Sequence, residues 1–170
     1  VSMVANLTVG KKDYANVQDD IQRILARSEA LRHKCLDLLE GDVAAYTQVS
    51  VAYKMPRDTE EQKGARNAAI QKALKQATAV PMELAEVCVE ILNLCPESAE
   101  KGNVRAVSDV GVGALMAEAA LRAAALNVLI NDASPGLFGE LAMTAAGGGA
   151  SAVSGNLFSL SGALVLQVNS

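Results

Sequence analysis

The sequence predicts an all-α fold, a compact up-down bundle of about six helices with no sheet. Three observations predict it. Apolar residues recur at three- and four-residue steps over long stretches, and no stretch alternates at period two. Hydrophobic residues make up 51% of the 170 residues but aromatics only 3%, with no Trp, so the core is built from Ala, Val and Leu. Such small side chains let helices lie close together. Gly and Pro then punctuate the pattern at positions where helices end or begin.

Taken in order, residues Val1 to Leu7 form an apolar helix that ends at Thr8-Val9-Gly10, with Lys11-Lys12 behind it. A long helix follows from Asp13. Its inner stripe is Val17, Ile21, Ile24, Leu25, Ser28, Leu31, Cys35, Leu38 and Leu39. Gly41 breaks or bends this helix, and Asp42 begins the next one, through Lys54. Pro56 interrupts the helical path, and Asp58 with Glu61 has capping-box spacing. The helix to Thr78 buries Ala65, Ala69, Ile70, Ala73, Leu74 and Ala77. Pro81 sits in the first turn of another helix, which carries Leu84, Val87, Cys88, Ile91, Leu92 and Cys95, frays near Pro96 and stops at Lys101-Gly102-Asn103. Ser108-Asp109 introduces the most apolar helix, Val110 to Ile130. Its many Gly and Ala residues leave it thin on all faces and fit burial in a bundle or a subunit interface. Beyond Asp132, Pro135-Gly136 reads as a turn, Leu137 to Thr144 as a short helix, Gly147-Gly148-Gly149 as a loop and Ser151 to Val168 as a small-residue helix.

Composition excludes several functions. The net charge is −4, with no long basic run, so nucleic acid is not an expected partner. No uncharged run of roughly 18–20 apolar residues precedes the Gly-rich tail, and Ser, Asn and Gly interrupt that tail, so no membrane partner is expected. No signal-peptide pattern opens the chain. Three Cys, one His (His33) and no CxxC argue against a zinc site and for reduced thiols in a cytoplasmic protein. With a single His there is no Ser-His-Asp or Cys-His set.

A few polar residues stand out against this apolar background. Asp42 opens a nearly uncharged run, Asp42 to Val49. As a helix start it is a cap; facing a cleft, it is a carboxylate beside room for a ligand, and apolar neighbours would oppose its ionisation. Gly147, Gly148 and Gly149 before a helix are either a linker or an anion-binding turn. Lys11 and Lys12 are a solvated pair or contacts for a polyanion. Lys101, Asn103, Ser108 and Asp109 flank the link into the apolar helix, either as caps at its two ends or as substrate-binding residues. Arg66 lies on a charged face.

The chain resembles the cyclodeaminase/cyclohydrolase family of folate enzymes. The matching stretches are Met3 to Lys12 with Tyr14; Asp42-Val43-Ala44-Ala45-Tyr46; Ala52 to Pro56; Thr59-Glu60-Glu61; Arg66 with Ala69-Ile70; Val80-Pro81; Lys101-Gly102-Asn103; Ser108-Asp109; and Asn127 to Asn131. They cover Val1 to Asn131 in order. The resemblance implies a single domain over 1–170, with 1–131 as family core and 132–170 as a Gly/Ala/Ser-rich tail. It implies an all-α homodimer that binds a tetrahydrofolate derivative near the subunit interface, with no metal and no cofactor beyond that substrate. The implied reaction converts 5-formiminotetrahydrofolate to 5,10-methenyltetrahydrofolate and ammonia. The alternatives are hydrolysis of methenyltetrahydrofolate to 10-formyltetrahydrofolate and a non-catalytic module that only binds folate or assembles.

Asp42 matches the family's catalytic aspartate, in a motif where Tyr46 replaces Phe. A carboxyl group with its pKa raised by partial burial suits that proton transfer. Lys11, Lys12 and Arg66 are the candidates for a polyglutamate tail, on charge alone. The family's Gly-rich loop and small-residue helix precede its Met-Val-Ala-Asn-Leu motif; here a loose counterpart, Gly147 to Leu166, comes last. That order implies a circular permutation, with Ser170 close to Val1 and the Gly loop near Asp42.

Overall fold

The computed structural model describes Val1–Asp132, with side chains through Leu129. The expected tail elements, the Gly147–Gly149 loop and the Ser170–Val1 approach lie outside the described residues. Among the described residues the chain is helical throughout: α1 (Ser2–Asn6), a 3₁₀ turn (Lys12–Val17), α2 (Gln18–Tyr53), α3 (Glu60–Lys101), a second 3₁₀ turn (Val104–Ala106) and α4 (Val107–Asp132).

The all-α class holds, but four α-helices stand where about six were expected from the breaks at Gly41 and Pro81. Packing overrides both signals. A Cβ at Gly41 would meet Val80 Cγ2 at 3.9 Å, an ordinary contact, so α2 faces α3 here and the packed helix carries a glycine whose intrinsic cost is about 1 kcal/mol. Pro81 is buried inside α3, and Pro96 is flanked by the buried Cys95 and Ser98. A proline inside a helix costs about 3 kcal/mol, which the surrounding core contacts outweigh. Asp42 therefore sits in mid-helix and is not a cap. Pro56 does mark a real interruption, between α2 and α3.

The cap of α3 is one residue later than the sequence pattern suggested. Thr59 Oγ1 accepts the Gln62 N–H at 3.2 Å, and Gln62 Oε1 accepts the N–H groups of Asp58 (2.9 Å) and Thr59 (3.3 Å). This is a reciprocal capping box on Thr59 and Gln62. Both spacings exist in the sequence, and the hydroxyl–carboxamide pair is the one used.

The described residues pack as two units. The first comprises Val1–Leu38 and Leu84–Leu121. Ile21, Ile24, Ser28, Leu31 and Leu38 form the buried stripe of α2, at the expected spacing, whereas Leu39 is 64% exposed and lies off it. Ala5, Ile21 and Ile24 make one core cluster; Val4, Cys95, Ala106 and Val110 make another. At α1 the chain turns through Gly10 (φ +73°), a left-handed conformation that a side chain would resist. Gln18 holds this turn: its Oε1 accepts the Gly10 N–H at 2.8 Å, and its Nε2 donates to the carbonyls of Tyr14 and Thr8. Burial pushes the thiols of Cys35, Cys88 and Cys95 up, which keeps them neutral.

Charged pairs join α2 to α3 in antiparallel register: Asp20 with Lys101 (2.5 Å), Arg23 with Glu97 (2.6 Å), and Arg27 with Glu90. Lys101 and Arg23 hold the Asp20 carboxyl below the ordinary carboxylate range, and Arg23 and Lys101 do the same for Glu97. Asp20 and Glu97 in turn push Lys101 up. The carboxylate contribution to stability is present above the unfolded-state carboxylate range and is lost as pH falls through the depressed folded values. The Lys101 contribution is present below the unfolded lysine value and is lost as pH rises through the raised one. Asp20→Asn is expected to flatten the acid side of the stability profile, measured as urea midpoint against pH. Added salt should shrink the difference. Parallel acid profiles for wild type and variant would remove this role.

The second unit comprises Leu39–Glu83 and the described residues from Arg122 onward. Its core is Ala52, Ile70 and Ala73, with Val49, Ala69 and Leu74 packed against them. The small side chains let α2 and α3 run antiparallel at close range, and that closeness shapes the depressions on either side.

Candidate functional site

Asp42, Tyr46, Val49 and Tyr53 recur at steps of four, three and four, so they share one face of α2. Together with Leu74 and Ala77 of α3 and Asn127 of α4 they line a cleft of ≈ 410 Å³ in the second unit. Its floor is apolar: Ala77 is buried, and Val49 and Leu74 are half-buried. Its polar groups are the Asp42 carboxylate, the Tyr46 and Tyr53 hydroxyls and the Asn127 carboxamide. None of these four groups forms a hydrogen bond or ion pair with another described residue. An apolar-walled cleft with a few convergent polar groups left unused by the fold is the ordinary form of a small-molecule site.

Asp42 and Asn127 are exposed, and Tyr46 is 73% exposed. The partial burial expected around Asp42 is not present among the described residues. Among the described residues, Asp42 is exposed where it lines the cleft.

Arg66 enters the same unit in a role the sequence did not suggest. Its guanidinium donates to the Tyr53 carbonyl (3.2 and 3.4 Å) and lies over the Tyr53 ring, 5.6 Å from the centroid. It therefore caps the C-terminus of α2 and fixes one wall of the cleft.

Six of the other candidate residues belong to the first unit. Lys101 is engaged by Asp20 and Glu97. Asn103 is a local cap: its Oδ1 accepts the Arg105 N–H (3.0 Å) and its Nδ2 donates to the Leu7 carbonyl (3.2 Å). Its backbone N–H donates to Thr8 Oγ1 at 2.8 Å, and Thr8 in turn donates to the Val4 carbonyl at 2.7 Å. The Tyr14 hydroxyl accepts the Val104 N–H (3.0 Å). Lys11 and Lys12 are exposed, as are Ser108 and Asp109 in the first turn of α4. Gly147, Gly148 and Gly149 lie outside the described residues.

A second depression of ≈ 500 Å³ is lined by residues such as Gln48, Met55, Lys72 and Gln76, with no carboxylate among its described lining residues. Among the described residues, no three His, Cys, Asp or Glu side chains form a group able to hold a metal ion. Tyr46, Tyr53 and Asn127 were not singled out as site residues by sequence reasoning. The signal for the tyrosines was their helical spacing from Asp42. For Asn127 it was a lone carboxamide in a very apolar helix.

A family model described as formiminotransferase-cyclodeaminase matches residues 1–134. A methenyltetrahydrofolate cyclohydrolase of Methylorubrum extorquens is 49% identical over 131 residues, which are 77% of this chain and 63% of that protein. The formimidoyltransferase-cyclodeaminase of Rattus norvegicus is 32% identical over 130 residues, 76% of this chain and 24% of that one. The crystal structure of formiminotetrahydrofolate cyclodeaminase from Thermotoga maritima matches with a TM-score of 0.57 at 32% identity, covering 82% of this chain and 66% of that chain. The chain thus spans less than two thirds of the length of each of these relatives.

Proposed function

This chain belongs to the formiminotransferase-cyclodeaminase family, and we propose that it performs one-carbon chemistry on a tetrahydrofolate derivative at the Asp42 cleft. The observation that carries this reading is the convergence of Asp42, Tyr46, Tyr53 and Asn127 on one apolar-floored cleft, with none of these side-chain polar groups hydrogen-bonded to another described residue. The tyrosine rings and the Val49–Leu74 wall suit a flat heteroaromatic ring. Among the described residues, Asp42 is the one carboxylate that lines it.

The reaction we favour is hydrolysis of 5,10-methenyltetrahydrofolate to 10-formyltetrahydrofolate, because the relative at 49% identity is a cyclohydrolase. Water adds to the methenyl carbon as Asp42 takes one of its protons; the hydroxyl proton of the adduct then passes to N5 as the carbon–N5 bond breaks, leaving the formyl group on N10, N5–H and one proton released to solvent. The second reading, favoured by the relatives from rat and Thermotoga, is cyclodeamination. There N10 attacks the formimino carbon on N5, and the departing nitrogen leaves as ammonia after receiving a proton through Asp42. Both reactions share the methenyl compound, and neither reading invokes a metal or a cofactor beyond the folate substrate.

Several finer points belong to the same proposal. Lys11 and Lys12, exposed and without an ion pair among the described residues, suit the carboxylates of a polyglutamate tail. A homodimer would cover Val112, Leu115 and Met116 of α4, which are 55%, 68% and 69% exposed. The stretch Val104–Leu129 is long and apolar enough to cross a membrane by length and composition. It carries Arg105, Asp109, Glu118 and Arg122, which favours a subunit face in a cytoplasmic protein over a lipid-facing span. A non-catalytic module remains the contrasting class.

The test is to supply methenyltetrahydrofolate and, separately, 5-formiminotetrahydrofolate, and to follow methenyl absorbance and ammonia. Accelerated loss of the methenyl signal supports hydrolysis, and its appearance with ammonia supports cyclodeamination. Rates equal to buffer with both substrates end the enzyme reading.

A further inference from the structure

We propose that Asn127 recognises the lactam edge of the pteridine ring and thereby sets the distance of the reacting carbon from Asp42; this rests on the reading that the cleft binds a tetrahydrofolate. Between Leu121 and Leu129, Asn127 is the single uncharged polar side chain in an otherwise apolar segment, apart from the charged Arg122. Asparagine is a poor interior helix residue because its carboxamide competes for backbone groups. Here the carboxamide bonds to no described residue and lines the cleft. Asn127 is exposed at the cleft, so its carboxamide is open to water, and a ligand that enters the cleft meets it in place of that water.

The chemistry narrows which part of the ligand it meets. A carboxamide presents an acceptor oxygen and a donor NH₂ side by side. The pteridine N3–H and C4 carbonyl form the complementary pair. Among the described residues lining the cleft, Asn127 alone offers that pair: the Asp42 carboxylate only accepts, and each tyrosine hydroxyl is a single atom. The C4 carbonyl is the immediate neighbour of N5, the nitrogen that carries the reacting carbon in both candidate reactions. Two hydrogen bonds at the lactam edge therefore fix N5, and with it the carbon that Asp42 must serve, without Asn127 taking part in the proton transfer.

Equilibrium binding of tetrahydrofolate and of its N3-methyl derivative tests this with wild type, Asn127→Ala and Asn127→Asp. N3-methylation removes the donor of the lactam pair. Asn127→Ala is expected to weaken tetrahydrofolate binding about tenfold, the effect of losing two ordinary hydrogen bonds. Asn127→Asp should weaken it further, by facing the C4 carbonyl with an acceptor. The N3-methyl group should weaken wild type by about the same factor as Asn127→Ala and make little further difference in that variant. Because Asn127 is exposed, both variants should keep the wild-type helix content, checked by circular dichroism. Equal penalties for N3-methylation in wild type and Asn127→Ala, or wild-type affinity in both variants, would overturn the assignment while leaving the folate reading standing. Failure of wild type to bind tetrahydrofolate would overturn the folate reading itself, and this inference with it.

Discussion

Asp42→Asn is expected to lower kcat by about 100- to 1,000-fold, the usual range for removing a positioned proton-transfer group, and to leave substrate affinity and stability near wild type. The expectation follows from where Asp42 sits. It lies in the middle of the continuous helix Gln18–Tyr53, exposed, with no partner among the described residues. The amide is isosteric and breaks no internal contact, so the loss falls on the chemistry alone. Steady-state kinetics on the methenyl absorbance, with thermal melting as the control, separates the two. A variant with an unaltered rate would place the proton transfer on another group. A variant that loses rate and melting temperature together would make Asp42 a structural residue.

The second large effect is on stability. Gly102→Ala is expected to cost about 3 kcal/mol, at the upper end for forcing atoms into a filled site. Gly102 is buried at the end of α3. A Cβ there would lie 2.4 Å from the Ser98 carbonyl oxygen and 2.8 Å from Val4 Cγ1. The first of these is backbone, which cannot rotate away. It is also the acceptor of the Gly102 N–H, at 3.0 Å. Any shift passes to Asn103, whose N–H is held by the fully buried Thr8 hydroxyl. Urea unfolding of the variant measures the loss. A change below about 1 kcal/mol, the scale of an ordinary surface substitution, would mean that this junction yields more readily than its geometry indicates.

The same junction explains why some of the site was not legible in the sequence. Lys101 and Asn103 stood out as polar residues at a helix end, and in the fold that end meets residues about 80 to 96 positions away: Asp20, Leu7 and Thr8. A capping signal can be read from local spacing, but the long-range partner cannot. Arg66 shows the same limit, because its role depends on the carbonyl and ring of Tyr53 across the α2–α3 connection.

Helix class and core stripe were legible because both follow from local period: Ile21, Ile24, Ser28, Leu31 and Leu38 are buried as spaced. The breaks at Gly41 and Pro81 were over-read, since propensity is a weak prior and the contacts that overrule it come from another helix. Asp42 was marked by its position in an uncharged run. Tyr46 and Tyr53 carry only the unused clue of their helical spacing from Asp42, whereas Asn127 reaches the cleft through the packing of α4, and its lone polarity is the sole local clue.

On the function proposed here, folate binds in the cleft lined by Asp42, Tyr46, Tyr53 and Asn127. A crystal structure of the chain with 10-formyltetrahydrofolate tests that claim most directly. The pteridine ring is predicted in that cleft, with N5 on the Asp42 side and the glutamate end leading out to solvent. A pteridine ring seated instead at the second depression beside Lys72, or on the Lys11–Lys12 surface, would contradict it.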